Sequence, residues 1–307
     1  MTDTRRPLDS QAVVLMLLLC LIWSLQQIVL KATALDFSPT LQLALRSGIA
    51  AVLVWLYMRS KGERLTMNSG IWQPGLIVGV LFALEFVLVG QAVRHTTAGH
   101  VVVFLYSAPV FAALGLHLKL PAERPAPLQW LGIALAFGGI AVAFLGHGGQ
   151  GSAQTSLLGD ALALGGALAW GLTTVAIRTT ALSTQPATQT LLYQLAVGFV
   201  LLIVAAWTMG ETVFRSSLAV WSALAFNAVV VCFFSFLIWF SLLRKYLASR
   251  LGVFSFLTPI LGVVLGAWLL GEPIEPNFAI GALLVLAGIV LVSGYSWLVR
   301  YLPGRKS

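Results

Sequence analysis

Two charged side chains, Arg46 and Glu85, lie well inside long apolar stretches of this 307-residue sequence. Ionisable groups in apolar surroundings are costly, and they usually face a cavity or pair with each other. Because each lies about eight residues from the same predicted end of its stretch, the two could form a structural ion pair. In the other interpretation Glu85 faces a cavity, where it binds an ammonium group or carries a proton. Both interpretations are open at this point.

Two tryptophans recur at matching positions, each followed by a polar residue one helical turn later. Trp23 and Gln27 share one face of the first apolar stretch, and Trp170 and Thr174 repeat that spacing 147 residues further on. An aromatic ring beside a polar group suits a zwitterion that has a hydrophobic side chain. Filling space is the competing interpretation for any single tryptophan, but recurrence in both halves favours a binding role.

A polar stripe is predicted in a later stretch, where Asn227, Ser235 and Trp239 follow one another at spacings of eight and four residues. Such a stripe in an otherwise apolar helix is expected to face protein or water. Ser235 is the counterpart of Glu85, so a carboxylate is expected on one side of the cavity only. For Trp239, anchoring at the membrane surface is an equal alternative.

Two prolines, Pro109 and Pro259, interrupt apolar stretches, where a proline removes a backbone hydrogen bond and invites a kink. Tyr106 and its counterpart Phe256 precede them by one turn. These kinks could act as hinges, although transmembrane prolines are often only structural. The candidate hinge residues are therefore Pro109 and Pro259, and the candidate substrate-binding residues are Trp23, Gln27, Glu85, Tyr106, Trp170, Thr174, Asn227, Ser235 and Trp239.

The elements that must position these residues occur twice in the sequence. The stretch from Ala98 to Ile140 matches that from Ala248 to Ile289, with Gly132 on Gly281. A period this long indicates duplication of a whole half rather than a short structural repeat. Regular glycine spacing in the last stretch of each half indicates close helix packing, with a homodimer face as the second interpretation.

Composition places both halves in a membrane. The chain is 59% hydrophobic and 9% charged, with a mean hydropathy of +0.94, which is too apolar for a soluble protein of this size. A membrane-spanning helix needs roughly 20 apolar residues. We predict an all-α protein with five spans in each of two domains, 11–146 and 157–298; the spans are 11–33, 38–58, 71–93, 97–117, 127–146, 157–178, 187–209, 218–242, 247–270 and 276–298.

The basic residues set the predicted orientation. Of the 18 Lys and Arg residues, 14 fall on one side of these spans and 3 on the other, with Arg46 inside a span. Positive residues stay cytoplasmic, so both termini are expected in the cytoplasm. Since five spans per half is an odd number, the second half must enter the membrane from the opposite side. Inverted repeats of this kind place substrate near the midplane and alternate access by rocking.

The sequence resembles the drug/metabolite transporter superfamily, and in particular its EamA-type members with two five-helix repeats. The resemblance rests on a mid-span Trp in each first helix, a Pro in each fourth helix, the turns 120–124 and 270–274, and the glycine-spaced fifth helices. It implies an exporter of small metabolites in the bacterial inner membrane, with a cavity lined by the first, third, fourth, sixth, eighth and ninth helices. The aromatic amino-acid exporters look most similar, since Trp23, Tyr106 and Trp170 occupy their aromatic positions, although Ala108 stands where a bulky aromatic residue is usual.

Other classes of protein fit less well. No Gly-rich phosphate loop is present, so no nucleotide cofactor is expected, and transport must be downhill or coupled to an ion or a second solute. The four histidines lack metal-ligand spacing, and Glu85 has no catalytic partner at its depth, so neither a metal site nor an enzyme is expected. The basic residues form no nucleic-acid face; the expected partners are the lipid bilayer and a small-molecule substrate. A channel and a broad exporter of drugs or cationic metabolites are the alternatives.

Overall fold

The computed structural model describes residues 9–119, 125–145, 156–245, 255 and 257–295, and they form a helical bundle. Phe256, the turn 120–124 and the outer ends of several predicted spans lie outside these residues. α4 is divided into α4a (Ala98–Leu105) and α4b (Ala108–Lys119), and α8 contains Leu218–Ala225, the π-helix Phe226–Ser235 and Phe236–Lys245. The others are α1 Ser10–Ala32, α2 Pro39–Ser60, α3 Ser69–His95, α5 Pro127–Leu145, α6 Leu157–Thr179, α7 Ala187–Thr208, α9 Leu257–Leu270 and α10 Pro276–Ser293.

Seven described helical segments, in α1 to α4 and α6 to α8, are long and apolar enough to cross a membrane. The described parts of α5, α9 and α10 are shorter apolar helices. Large apolar side chains such as Val14, Leu218 and Leu283 are exposed on the outside of the bundle, where lipid rather than water can cover them. The prediction of an all-α membrane protein with ten helices is confirmed.

Polar side chains fix where several helices begin. Asp9 caps α1 by accepting a hydrogen bond from the Ala12 N–H at 2.8 Å, and Thr97 caps α4a through the His100 N–H at 3.1 Å. Ser156 and Ser217 cap α6 and α8 in the same way. These caps satisfy N–H groups that have no partner within the helix.

The two halves run in opposite directions through the bundle. α5 and α10 are antiparallel, because Gly132 lies against Gly288 whereas Gly139 lies against Gly281. α4a and α9 are also antiparallel. Residue 99 contacts residue 263 and residue 102 contacts residue 262, so the residue number falls along α9 as it rises along α4a. Counterpart helices therefore oppose each other, as inverted repeats require. The predicted inversion is confirmed.

The packing pairs also follow the twofold relation between the repeats. α2 packs on α7, α4 on α9 and α5 on α10, so three helices contact their own counterparts. Each remaining major contact has a counterpart in which every helix is replaced by its repeat equivalent. The contact of α3 with α6 corresponds to that of α8 with α1, the contact of α3 with α7 to that of α8 with α2, and the contact of α4 with α6 to that of α9 with α1. Residues from both repeats therefore meet along the whole interior of the bundle.

The glycine stripes of α5 and α10 are used inside one chain. A Cβ atom at Gly139 would lie 2.6 Å from the Gly281 carbonyl oxygen and 2.7 Å from the Val285 nitrogen. These stripes let the two backbones approach closely, as small residues do between transmembrane helices. They support the packing interpretation, and a homodimer would have to use another face.

We expect Gly139→Ala to destabilise the protein while Gly138→Ala does not. Gly138 is the adjacent glycine on the exposed face, and a Cβ there would meet nothing within 4 Å. Both changes raise the helix propensity equally. Only Gly139→Ala introduces a methyl group that clashes with the backbone of α10, which should lower the free energy of unfolding by about 1–3 kcal/mol. Thermal unfolding in detergent, followed by size-exclusion chromatography, measures the difference. Equal melting temperatures for the two variants would contradict the close contact of α5 with α10.

The bundle has two ends, named here for a glutamate at each. The Glu63 end bears the connections 61–68 and 180–186, which follow α2 and α6. The Glu211 end bears the connections 33–38, 96–97, 209–217 and 271–275, which follow α1, α3, α7 and α9. At the Glu211 end, loops of the two repeats are joined by backbone hydrogen bonds from Ser38 to Val213 (3.0 Å) and from Arg215 to Asp36 (2.8 Å).

Candidate functional site

One aromatic pair joins α1 of the first repeat to α8 of the second. The Trp23 indole N–H donates a hydrogen bond to the Ser235 hydroxyl at 2.9 Å. The Trp23 ring also packs edge-on against Trp239, with centroids 5.6 Å apart. Three candidate residues that lie up to 216 positions apart in sequence are thus in direct contact. For Trp239, this contact shows that the ring packs against α1, and its side chain is half-buried.

A second aromatic pair joins α4 to α6. Tyr106 lies at the break between α4a and α4b, and its ring packs perpendicular to that of Trp170 at 5.5 Å. Tyr106 interacts electrostatically with Glu85 of α3. Like the first pair, this one is made by side chains from both repeats. The counterpart contact would involve Phe256, which lies outside the described residues.

The polar neighbours of the two tryptophans differ in what they contact. Gln27 is 3% exposed, and its side-chain oxygen has no hydrogen-bond partner. Thr174 instead donates to the Trp170 carbonyl oxygen at 3.3 Å within its own helix. An unpaired buried amide oxygen can accept from a ligand, because burying it without a partner is unfavourable. Gln27 is therefore better placed than Thr174 to bind substrate.

The stripe on α8 does not follow α-helical spacing, because Phe226–Ser235 forms a π-helix. The wider turns rotate Asn227 relative to Ser235 away from the positions that spacings of 3.6 residues predict. Both side chains remain buried and bond carbonyl groups four residues earlier, Asn227 to Ala223 at 3.0 Å and Ser235 to Val231 at 2.5 Å. Side-chain donors of this kind compete with backbone N–H groups for the carbonyls. The prediction of a simple stripe is corrected accordingly.

Glu85 and Arg46 are both buried but do not form an ion pair. Glu85 is 7% exposed and Arg46 is 1% exposed. The Nε and Nη1 atoms of Arg46 have no hydrogen-bond partner, and no described carboxylate lies within the 4.0 Å of an ion pair. The guanidinium lies instead over the Phe86 ring, 4.4 Å from its centroid. Glu85 is influenced electrostatically by Arg46, so the two charges lie near each other without direct contact.

The two candidate hinge prolines, Pro109 and Pro259, lie near the start of α4b and near the start of the described part of α9. The fourth helix breaks at 106–107, and Pro109 is the second residue of α4b. A proline there needs no backbone N–H, which explains the position of the break. Pro259 is the third residue of the described part of α9 and is buried. The Thr258 carbonyl oxygen just before it lies 2.8 Å from the Ser24 hydroxyl of α1.

Three glutamates that the sequence analysis missed reach across to the other repeat. Glu63, after α2, accepts a hydrogen bond from the Thr188 hydroxyl at 2.6 Å. Glu211, after α7, accepts one from the Thr40 N–H at 3.3 Å. Glu272, after α9, accepts from the first two N–H groups of α4a at 2.7 and 3.2 Å. Each glutamate thus binds the start of a helix in the other repeat, where N–H groups lack partners and negative charge is stabilised.

A glycine with a left-handed backbone precedes each of these glutamates. Gly62, Gly210 and Gly271 have φ angles of 71°, 69° and 64°, a conformation that favours glycine at the end of a helix. The first two Gly-Glu pairs are related by a shift of 148 residues. That repetition is the signal from which these glutamates could have been found.

Glu211 makes the most extensive of these contacts. Besides Thr40, its carboxylate bonds the side chains of Gln91 and Arg94. Burial opposes ionisation of Glu211, but the hydrogen bonds from Thr40, Gln91 and Arg94 outweigh it and lower its pKa. A carboxylate with a lowered pKa stabilises the fold above its unfolded pKa, and that stabilisation is lost as pH falls through the folded value.

We therefore expect Glu211→Gln to lower stability near pH 7 by about 1–3 kcal/mol, since charged hydrogen bonds are lost. The difference from the unchanged protein should shrink as pH falls below the ordinary value of 4.5. Melting curves between pH 3 and pH 7.5 measure it. Asp36→Asn is the control, because the Asp36 and Arg215 side chains form an ion pair that is 55% and 73% exposed and contributes little. An equal effect of both changes would contradict the role of Glu211.

A buried carboxylate and imidazole, Asp160 of α6 and His100 of α4a, were also not recognised in the sequence. Their atoms lie 2.9–3.0 Å apart, and the Thr96 hydroxyl donates to Asp160 at 2.7 Å. The imidazole stacks on Phe278 of α10 at 3.7 Å. No local spacing links residues 100 and 160, so only the tertiary structure reveals this pair.

A polar cavity of about 510 Å³ opens at the Glu211 end, close to these groups. Lys31 donates from its ammonium group to the carbonyl oxygens of Val93 (2.5 Å) and Thr96 (2.6 Å) at its edge. Residues of both repeats line it, including Lys31, Arg94, His95, Thr97, Ser156 and Glu272.

Inverted repeats with ten helices and a buried aromatic and charged region between them define a membrane transporter with duplicated halves. The model of the EamA-like transporter family matches residues 10–145 and again residues 157–294. The chain belongs to this family, and the predicted membership of the drug/metabolite transporter superfamily is confirmed.

Several relatives match almost the whole chain. The uncharacterized transporter YvbV of Bacillus subtilis is 27% identical over 288 residues, with 92% of each chain covered. The probable amino-acid metabolite efflux pump of Escherichia coli is 26% identical over 293 residues and covers 92% of this chain and 95% of its own. A solved crystal structure at 19% identity covers 97% of this chain and 99% of its own, with a TM-score of 0.66; that likeness concerns the fold.

Proposed function

We propose that this protein exports amino acids, including aromatic and other hydrophobic ones, by alternating access. The observation that carries the proposal is the juxtaposition of a buried, unpaired carboxylate with aromatic side chains of both repeats. Glu85 lies within electrostatic range of Tyr106, whose ring packs on Trp170. A carboxylate of this kind binds an ammonium group, and aromatic rings bind an apolar side chain.

The similarity to the Escherichia coli efflux pump supports the same substrate class. The name of that relative also supports export rather than import as the proposed direction. The absence of a nucleotide-binding motif from the sequence leaves downhill movement, exchange or ion coupling as the driving process. Alternating access follows from the inverted repeats, because rocking of one against the other opens the shared site to each side in turn.

The proposal includes the bacterial inner membrane, with both termini in the cytoplasm. The supporting observation is the excess of Lys and Arg on one side of the spans, 14 against 3. This orientation places the Glu63 end in the cytoplasm and the Glu211 end in the periplasm. Reporter fusions after residues 64 and 215 test it, with an active cytoplasmic reporter expected only at residue 64.

Counterflow in liposomes tests the function. Purified protein is reconstituted into vesicles loaded with phenylalanine, and uptake of labelled phenylalanine from outside is followed at two pH values. Stimulation by internal phenylalanine is expected for a carrier, and an open channel would not show it. The proposal would be refuted if the folded, reconstituted protein exchanged none of the amino acids.

A broad exporter of drugs or cationic metabolites is the second candidate. Glu85 without an ion-pair partner, near aromatic rings, is also suited to a lipophilic cation. Competition separates the two candidates: a lipophilic cation without a carboxylate should displace phenylalanine weakly from an amino-acid exporter and strongly from a drug exporter.

A further inference from the structure

We infer that Arg46 is an anion-binding residue, which together with Glu85 selects substrates that have a free carboxylate. The inference deepens the proposed function and rests on it for the identity of the substrate. It starts from a buried cation that has no carboxylate among the described residues within 4.0 Å, which is a costly arrangement inside a membrane protein.

Two donor atoms of Arg46 are available to a ligand. Nε and Nη1 are both enclosed without a hydrogen-bond partner, and each can donate a charge-assisted hydrogen bond to an anion. The guanidinium carbon lies 4.4 Å from the centroid of the Phe86 ring. This ring contact holds the guanidinium without using the hydrogen-bond donors of Nε and Nη1.

A second donor lies one turn away on the same face of α2. The Gln42 amide oxygen accepts from the Thr33 hydroxyl at 3.3 Å, whereas its Nε2 atom is buried without a partner. Gln42 Nε2 and two guanidinium nitrogens of Arg46 are thus unpaired donors on one helix face, and no described carboxylate lies within 4.0 Å of the guanidinium. Several unpaired N–H donors together are chemically complementary to an anion.

The position of Glu85 defines what kind of anion fits. Glu85 and Arg46 interact electrostatically without forming an ion pair, so two opposite charges lie near each other without direct contact. An α-amino acid has its ammonium and carboxylate groups on adjacent atoms and would neutralise both. From the helix rise, Arg46 lies about 10 Å and Glu85 about 15 Å from the Glu211 end, near the membrane midplane.

The test uses three ligands that share a phenyl ring: 3-phenylpropionate carries only the carboxylate, phenethylamine only the ammonium, and phenylalanine both. Melting temperatures of the full-length protein in detergent report binding, and counterflow in liposomes reports transport. We expect 3-phenylpropionate to stabilise the unchanged protein, with its affinity about tenfold or more weaker in Arg46→Gln, while phenethylamine binding is not weakened. Arg46→Lys should recover part of the affinity, since it keeps the charge but replaces the guanidinium donors by an ammonium group.

Undiminished binding of 3-phenylpropionate by Arg46→Gln would overturn the inference, as would an equal loss of both singly charged ligands. If Arg46→Gln does not fold, Gln42→Leu is tested instead. Weaker binding of 3-phenylpropionate without weaker binding of phenethylamine would support the site. Unchanged binding of 3-phenylpropionate would refute it. Replacing chloride by methanesulfonate, an anion that has no carboxylate group, separates an inorganic anion from a carboxylate. A chloride-dependent melting temperature that requires Arg46, without any response to 3-phenylpropionate, would refute a carboxylate site.

The two proposals can fail separately. Phenylalanine counterflow with the same KM in Arg46→Gln and in the unchanged protein would overturn the Arg46 inference and leave the proposed function standing. If 3-phenylpropionate binding required Arg46 but the protein exchanged no amino acid, the proposed function would be overturned and the anion-binding role of Arg46 would stand.

Discussion

Glu85→Gln is expected to reduce phenylalanine counterflow by about 10- to 100-fold while the protein still folds. The glutamine keeps the size and shape of the side chain but loses the negative charge that would bind the ammonium group. A hydrogen bond to a charged group contributes about 1.5–3 kcal/mol, and 1.4 kcal/mol corresponds to a tenfold change in affinity. Because Glu85 is not in an ion pair with Arg46, its neutralisation breaks no direct contact with that residue.

Asp36→Asn is the matched control, since it removes one carboxylate from an exposed ion pair at the Glu211 end. It should leave counterflow unchanged. Glu85→Asp should retain part of the activity, because the carboxylate is kept but lies one methylene further from the substrate. Normal transport by folded Glu85→Gln would remove Glu85 from the site, whereas loss of folded protein in Glu85→Gln but not in Glu85→Asp would indicate a structural role for its charge.

The sequence predicts the parts of this structure that depend on periodicity within one helix or on repetition between halves. Ten apolar stretches give the ten helices. The duplication, with an odd number of stretches in each half, gives their inverted arrangement. The break of α4 before Pro109 follows from the missing N–H of proline. Likewise, the matched glycines of α5 and α10 pack on each other because small residues permit close backbone contact.

What the sequence does not reveal are contacts between residues that share no spacing. The pairing of His100 with Asp160 and the reach of Glu211 to Thr40 join separate helices, and helical periodicity carries no information about the partner. The π-helix in α8 is missed for a related reason, since a spacing argument assumes 3.6 residues per turn throughout. The sequence thus predicts which helix faces bear the candidate residues, and the structure shows which of these faces contact each other.

A disulfide between α4a and α9 is expected to stop transport until it is reduced. A Cβ atom at Gly99 would lie 3.8 Å from the Cβ of Val263, which equals the mean separation in native disulfides. The two helices belong to different repeats and are in contact at the Glu211 end. Alternating access requires the repeats to separate at each end in turn, so a covalent bond here should hold this end closed and reduce counterflow to the background of empty liposomes.

The double variant Gly99→Cys/Val263→Cys is made with Cys20 and Cys232, both buried, replaced by Ala. Copper phenanthroline forms the bond, dithiothreitol breaks it, and protease cleavage between the halves followed by electrophoresis shows the cross-linked fraction. The single-cysteine variants should keep their activity under the same oxidant. Full counterflow with a completely formed disulfide would mean that α4a and α9 do not separate during transport, and the two repeats would then have to open along another pair of helices.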